Sequence, residues 1–254
     1  MQYPGKKTLL IGCLVMASVA FADGSRHNLN RGSIVASAIK ALAPIPSPAP
    51  APKLSSGIAT AELYQELGLK TTGMEPQVLE SAMKGFDRLT VTGTISNQNK
   101  ITIIDFSQPS NQKRLYVIDL NKKKLLFQSL VAHGRGTGTL WATSFSNEIS
   151  SYQSSPGFYV TEGTYRGHNG YSLRLDGLEK NINDNALSRS IVMHGAPYVN
   201  QSSINKLGYL GRSEGCPALP RTVAKRIINT IKGGTCLFIY TADKGYLGQS
   251  ELLN

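Results

Sequence analysis

A mainly β domain over residues 91–242, carrying one late helix and preceded by a short helical segment over 58–90, is what this sequence predicts. Three observations support it. From residue 91 the texture turns to short β-branched and aromatic runs separated by turn residues. Within that stretch only "TVAKRIINTIKGG" keeps a helical period. Strands do not alternate with helices, which excludes a doubly wound parallel sheet of the Rossmann type.

At the N-terminus, Lys6 and Lys7 precede the apolar run "TLLIGCLVMASVA", and Ala20-Phe21-Ala22 supplies an A-x-A pattern before "DGSRHN". These parts make residues 1–22 a secretory signal peptide with cleavage after Ala22. Leu10-Ile11-Gly12-Cys13 offers a lipoprotein alternative, but the stretch from Lys7 to Gly12 is shorter than the ~7–15 apolar residues of a signal core. The run is also short of the ~20 apolar residues of a transmembrane helix. The expectation is an exported product, in periplasm or cell wall, with no transmembrane segment. Removing Lys6 and Lys7 takes the net charge from +11 to +9. A basic surface suits polyanions such as acidic wall polymers, while no nucleic-acid motif accompanies the basic residues.

Residues 23–57 read as a flexible Pro/Ala-rich tether, clearest in "ALAPIPSPAPAPKLSSG". "IATAELYQELGL" stops at Gly68, and "EPQVLESAMKGFDRL" starts with a proline in its first turn, so 58–90 holds two short helices. Strands follow in "KITIIDF", "KRLYVIDL", "KLLFQSLVAHG", "GFYVTEGTY", "YSLRLDGL", "SIVMHGA" and "TCLFIYT", with a solvated Lys122-Lys123-Lys124 turn among them. The late helix lies before Gly233, and residues 243–254 are read as a C-terminal tail.

Serine chemistry is suggested twice, by Ser81-Ala82-Met83-Lys84 and Ser37-Ala38-Ile39-Lys40, both S-x-x-K. The S-D-N and K-T-G elements that give this pattern meaning are missing, so both are read as chance matches. The histidines are His27, His133, His168 and His194, and no H-E-x-x-H or paired C-x-x-C exists, so no metal site is assigned. Cys216 and Cys236 remain after signal cleavage, and in an oxidising compartment they could pair. Cys236 lies in a continuous apolar run and reads as a small buried hydrophobe; Cys216 lies in the turn "GRSEGCPALP". The nucleophile reading pairs Cys216 with His194, which ends the strand "IVMHGA". A free thiol with a pKa near ~8.5 is mostly protonated at neutral pH, and a neighbouring imidazole can take its proton to form a thiolate–imidazolium pair. Gly215 would let consecutive amides converge on an oxyanion.

The blocks "HGRGTG", "TSFSN", "SSPGFY", "YSLRLDGLE", "IVMHGA" and "GRSEGCPALP", in that order over about residues 96–241, resemble the YkuD-type L,D-transpeptidase catalytic domain, and more closely its murein L,D-transpeptidase branch. The resemblance implies a β-sandwich-like domain with cysteine and histidine facing a substrate groove. It implies acyl transfer on peptidoglycan stem peptides, with D-Ala leaving and an amine acceptor resolving a thioester, and it implies no cofactor. Carried onto this chain, Cys216 is the nucleophile and His194 the general base. The amides of Glu214, Gly215 and Cys216 form the oxyanion hole, Ser213 shapes the turn, and Gly195 completes the His-Gly element. Familiar members carry Arg or Asn two residues after the cysteine, where this chain has Ala218; Arg212 is the substitute candidate for a substrate carboxylate, and His133 is expected to line the groove. The resemblance also implies acylation by carbapenems. Hydrolysis as an L,D-carboxypeptidase or amide hydrolase would use the same pair, and a non-catalytic basic wall-binding module would need neither residue.

Overall fold

Alternation along the strands decides the architecture. In the central strands β1 (Lys100–Asp105), β2 (Leu115–Asp119) and β8 (Cys236–Tyr240), successive side chains point to opposite faces and nearly all are buried. Ile101, Ile103, Tyr116, Ile118, Cys236, Phe238 and Tyr240 enter one core, while Ile104, Leu115, Val117, Leu237 and Ile239 enter another. A sheet apolar on both faces must be covered on both faces.

The computed structural model describes residues 57–254, which all fall within one compact unit. The signal-peptide and tether readings, the lipobox around Cys13 and the Ser37–Lys40 match lie outside the described residues. Eight strands form one mixed sheet in the order β3-β2-β1-β8-β4-β5-β6-β7, adding β3 (Lys124–Ser129), β4 (Gly157–Gly167), β5 (Gly170–Gly177), β6 (Val192–Ala196) and β7 (Ala218–Pro220). β1 and β8 pair in parallel, as do β6 and β7; the other neighbours are antiparallel. The fold is mainly β with helices before and late in the chain, as the sequence predicts.

Helices α1 (Gly57–Glu66) and α2 (Pro76–Val91) cover the first face. α2 buries Val78, Leu79, Ala82, Met83, Phe86 and Leu89, each of the larger ones contributing roughly 1.5–3 kcal/mol of transfer free energy. It closes so tightly that a methyl group added at Gly85 would lie 2.1 Å from the Phe158 ring, which itself stacks on Phe238 at 4.1 Å. Ser81 is half-buried and Lys84 exposed on the outer side of this helix, in keeping with a chance motif. The second face is covered by the late helix α4 (Arg221–Ile231), through Ala224, Ile227, Ile228 and Ile231.

Three elements differ from the sequence reading. Residues 243–254 are not a loose tail: α5 (Lys244–Gln249) buries Tyr246, and the Ser250 hydroxyl donates to the buried Glu179 carboxylate. α3 (Gln201–Leu207) was not foreseen because it buries no residue and so carries no apolar period. β7 was read as turn because prolines bracket it; its pairing with β6, and the Ala132–Ala218 bridge beyond, make it a strand.

Candidate active site

β6 and β7 run side by side in parallel, with His194 opposite Ala218. Cys216 precedes Ala218 by two residues, so the turn that carries it is delivered to the first half of β6. The thiol lies 3.5 Å from the Val192 amide, which donates to it, and 3.7 Å from the Ser190 carbonyl. His194 is one sheet repeat further along, about 7 Å at ~3.3 Å per residue. Its Nδ1 lies 3.2 Å from its neighbour's carbonyl, Gly195 O. Among the described residues no hydrogen bond joins thiol and imidazole; the two are neighbours across adjacent strands rather than a formed pair.

The turn is held from within. Ser213 Oγ donates to Cys216 O at 2.6 Å and accepts from the Gly215 amide at 3.1 Å. Gly215 adopts φ +126°, a conformation side-chain-bearing residues rarely reach. Its amide is thus committed to Ser213; of the other two proposed oxyanion donors, the Cys216 amide faces its own sulfur, and the Glu214 amide has no protein acceptor among the described residues.

It is also held from outside. Segment 132–135 bonds to it through Ser213 N→His133 O at 3.0 Å and Arg135 N→Ser213 O at 2.8 Å. Gly134 packs so close that an added Cβ would lie 2.9 Å from Gly215 N, which explains a glycine in "HGRGTG". Ser154 Oγ accepts from Gly134 N and donates to Gly215 O at 2.9 Å.

His133 does not line a groove. It is fully buried, with Nδ1 accepting from Arg114 Nη2 at 2.7 Å and Nε2 facing Gly138 O at 3.3 Å. Desolvation first, then the Arg114 charge, push it down to about 3, so it is neutral at physiological pH. Arg114 is itself buried, bonded to the Val131 and Gln108 carbonyls and placed 4.7 Å over the Phe106 ring. Arg212 donates to Gly138 O at 3.0 Å and reaches Arg135 O at 3.4 Å, so it ties the 135–138 loop to the cysteine turn instead of standing free.

Burial governs the titration of the central pair. It pushes the Cys216 thiol up, opposed by the Val192 amide and the Arg189 charge, and it lowers the His194 imidazole. Burial thus disfavours the charged form of both groups, and at the thiol the Val192 amide and the Arg189 charge oppose it.

A cleft of about 600 Å³ opens beside His194. Gly195, Tyr198, the β4–β5 hairpin tip at His168, and the α4 side chains Arg221 and Lys225 line it, with no Asp or Glu among its lining residues. Gly195 faces α4, where an added Cβ would meet Ala224 Cβ at 3.0 Å. Among the described residues no group of three His, Cys, Asp or Glu side chains converges to hold a metal ion.

The model of the L,D-transpeptidase catalytic domain matches residues 70–240. The chain belongs to the L,D-transpeptidase catalytic-domain family. Members are cysteine-dependent peptidoglycan enzymes. Solved structures similar in fold include an L,D-transpeptidase from Mycobacterium smegmatis, with 11% identity, 56% of this chain and 59% of that chain covered, and a TM-score of 0.36. One from Stackebrandtia nassauensis shows 14% identity, coverage of 74% and 78%, and a TM-score of 0.35. One from Mycobacterium tuberculosis H37Rv shows 15% identity, coverage of 56% and 58%, and a TM-score of 0.36. The chain thus spans less than two thirds of the mycobacterial proteins, and the assignment rests on the family match alone. A search of curated proteins finds no match.

Several residues of this L,D-transpeptidase domain escaped the sequence reading. Ser154 begins the "SSPGFY" segment, whose sequence gives no hint of its bonds to Gly134 and Gly215. Arg114, Arg189, Arg221 and Lys225 have no motif of their own; only the folded chain brings them to the turn or the cleft. The two cysteines among the described residues are both free, with Cys236 on the sheet face covered by α1 and α2 and Cys216 at the far edge in the other core.

Proposed function

We propose that this enzyme is a peptidoglycan L,D-transpeptidase in which Cys216 attacks and His194 moves the proton. The supporting observation is the β6–β7 register, which sets the Cys216 turn beside the strand whose His194 lines a cationic cleft. A stem tetrapeptide enters the cleft with its acyl carbonyl toward the turn. Its carboxylates face Arg221 and Lys225, and these take the part that Arg212 cannot take while bound to backbone carbonyls. The thiol turns from Ser190 O toward His194, which accepts its proton. Hydrogen bonds of this kind are often long before substrate binds. The sulfur adds to the carbonyl, and the oxyanion accepts from the Cys216 and Glu214 amides. The C–N bond to D-Ala breaks, and the imidazolium proton leaves with its amine. An acceptor amine then adds to the thioester, gives its proton to His194, and expels the thiolate, which is reprotonated.

No helix among the described residues is long and apolar enough to cross a membrane, and the polymer acted on lies outside the cytoplasm. The test is mass spectrometry of purified muropeptides incubated with the protein, with and without an amine acceptor. A cross-linked product requiring the acceptor supports transpeptidation. A trimmed product alone means water resolves the thioester. Binding that survives iodoacetamide treatment, with no turnover before or after it, would leave only a wall-binding module.

A further inference from the structure

Arg189 is a half-buried arginine whose bonds all go to uncharged oxygens: Ser146 O at 2.8 Å, Ser155 Oγ at 2.6 Å, Gln153 O at 2.6 Å and Ser151 Oγ at 3.1 Å. The ion pairs among the described residues are Lys123–Glu66 and Arg135–Glu214, so no carboxylate is in ion-pair contact with Arg189, although the Glu148 charge reaches it from the loop. Its guanidinium is aimed at the cysteine turn, with Nη2 3.5 Å from where a Cβ on Gly215 would stand. The next residue, Ser190, supplies the carbonyl beside the thiol. Left-handed backbone at residues other than glycine gathers here: Ser150 at φ 60°, Tyr152 at φ 57° and Ser190 at φ 55°, three of the five such residues among those described. Such conformations cost roughly 1–3 kcal/mol each and persist where their surroundings over-determine them. Arg189 makes four of the hydrogen bonds that tie the 146–155 loop down, beside those of Asn147, Gln153 and Ser154.

We propose that Arg189 is a positioning residue that clamps the 146–155 loop against the Cys216 turn and whose charge, in contact with no carboxylate, favours the thiolate as it forms. The proposal rests on Cys216 being the nucleophile. The charged or titratable groups facing the thiol are Arg189, Glu214 in the same turn, Tyr198 beyond β6, and His194 along the strand. Arg189 favours the thiolate, whereas burial and Glu214 oppose it. Desolvation weakens the hold of Arg189 on its proton, but at neutral pH it remains charged.

The test is the pH profile of Cys216 alkylation by iodoacetamide, followed by intact mass and peptide mapping, in the wild type, R189K and R189Q. R189Q is expected to move the midpoint up by about one pH unit and to slow alkylation at pH 7 about tenfold, as removal of a nearby charge at intermediate dielectric implies. R189K keeps the charge but loses the planar fork, so its midpoint stays near that of the wild type while proteolysis within 146–155 becomes faster. Should R189Q fold poorly by circular dichroism, R189M is the second neutral variant. A neutral variant with an unchanged midpoint, or R189K shifting as far as the neutral variant, overturns the proposal. Turnover by Cys216→Ala would sink the nucleophile assignment instead, and it would leave the alkylation result standing.

Discussion

Cys216 and Cys236 are the same residue in opposite surroundings. Cys236 is fully buried mid-sheet, between β1 and β4, facing α1 and α2; desolvation raises its thiol far above the ordinary range. Cys216 is nearly as buried, at 9% exposed, yet its sulfur meets an amide, a carbonyl and the field of an arginine. Burial alone therefore does not separate a cysteine packed as a hydrophobe from the proposed nucleophile. The difference lies in what the backbone offers: a continuous ladder around Cys236, and around Cys216 a serine-braced glycine turn that brings amides to the sulfur. The central sheet supplies rigidity, and its β6–β7 edge supplies the groups able to act.

The largest effect that tests this contrast is Cys216→Ala. It should abolish turnover in the muropeptide assay while shifting the melting temperature by only a few degrees, because little apolar area is lost. A single carbapenem adduct mapped to the Cys216 peptide, absent after alkylation, would sharpen the same point; an adduct on Ser81 would break it. Next is His194→Ala, expected to lower kcat by about 10²–10⁴-fold, the usual share of a positioned base. Wild-type rates would remove His194 from the chemistry.

On the structural side, Gly85→Ala should destabilise the domain although alanine is the better helix former by about 1 kcal/mol. The added methyl meets the Phe158 ring at 2.1 Å, and overpacking of that kind costs roughly 1–3 kcal/mol. Chemical denaturation measures it, and a gain in stability would mean that α2 does not close on the sheet this way. Cys236→Ser should cost about 1–3 kcal/mol for an unpartnered buried hydroxyl, with kcat unchanged. A matching fall in kcat at full stability would undo the division between the two cysteines.

Much of this was legible in the sequence because the physics involved is local. Strands β1, β2 and β8 are unbroken apolar runs, α2 and α4 repeat with helical period, and glycine and proline punctuate the rest. The Cys216 turn was readable because Ser, Gly and Pro restrict backbone at short range. What escaped depends on contacts between distant segments. Arg189 reads as one of many basic residues until the 146–155 loop folds over it. His133 shares its His-Gly pattern with His194, and only the buried Arg114 beneath it marks it as scaffold. The final residues hold no strong period, and only Tyr246 and Ser250 of them are buried, both reaching the Glu179 carboxylate.

The smallest expected effect is on the acid side of the pH–rate profile. Burial lowers His194, so its free-enzyme pKa lies below the ordinary ~6.5. A base works only when neutral; activity is lost as pH falls through that lowered value, not through the ordinary one. Between pH 8 and 6.5, kcat/KM should change by less than about twofold, since imidazole protonation has not yet begun to compete. A resting thiolate–imidazolium pair predicts otherwise: the neighbouring thiolate would hold the imidazole proton well above 6.5, and the acid limb would report the thiol losing its charge. Measuring kcat/KM across that interval, beside the alkylation midpoint of Cys216, separates the two. A flat profile with a high alkylation midpoint fits neutral partners that exchange a proton only when substrate arrives. A coincident fall in rate and alkylation as the pH drops from 8 would mean the ion pair exists beforehand, and that the field at this edge of the sheet outweighs the cost of burying it.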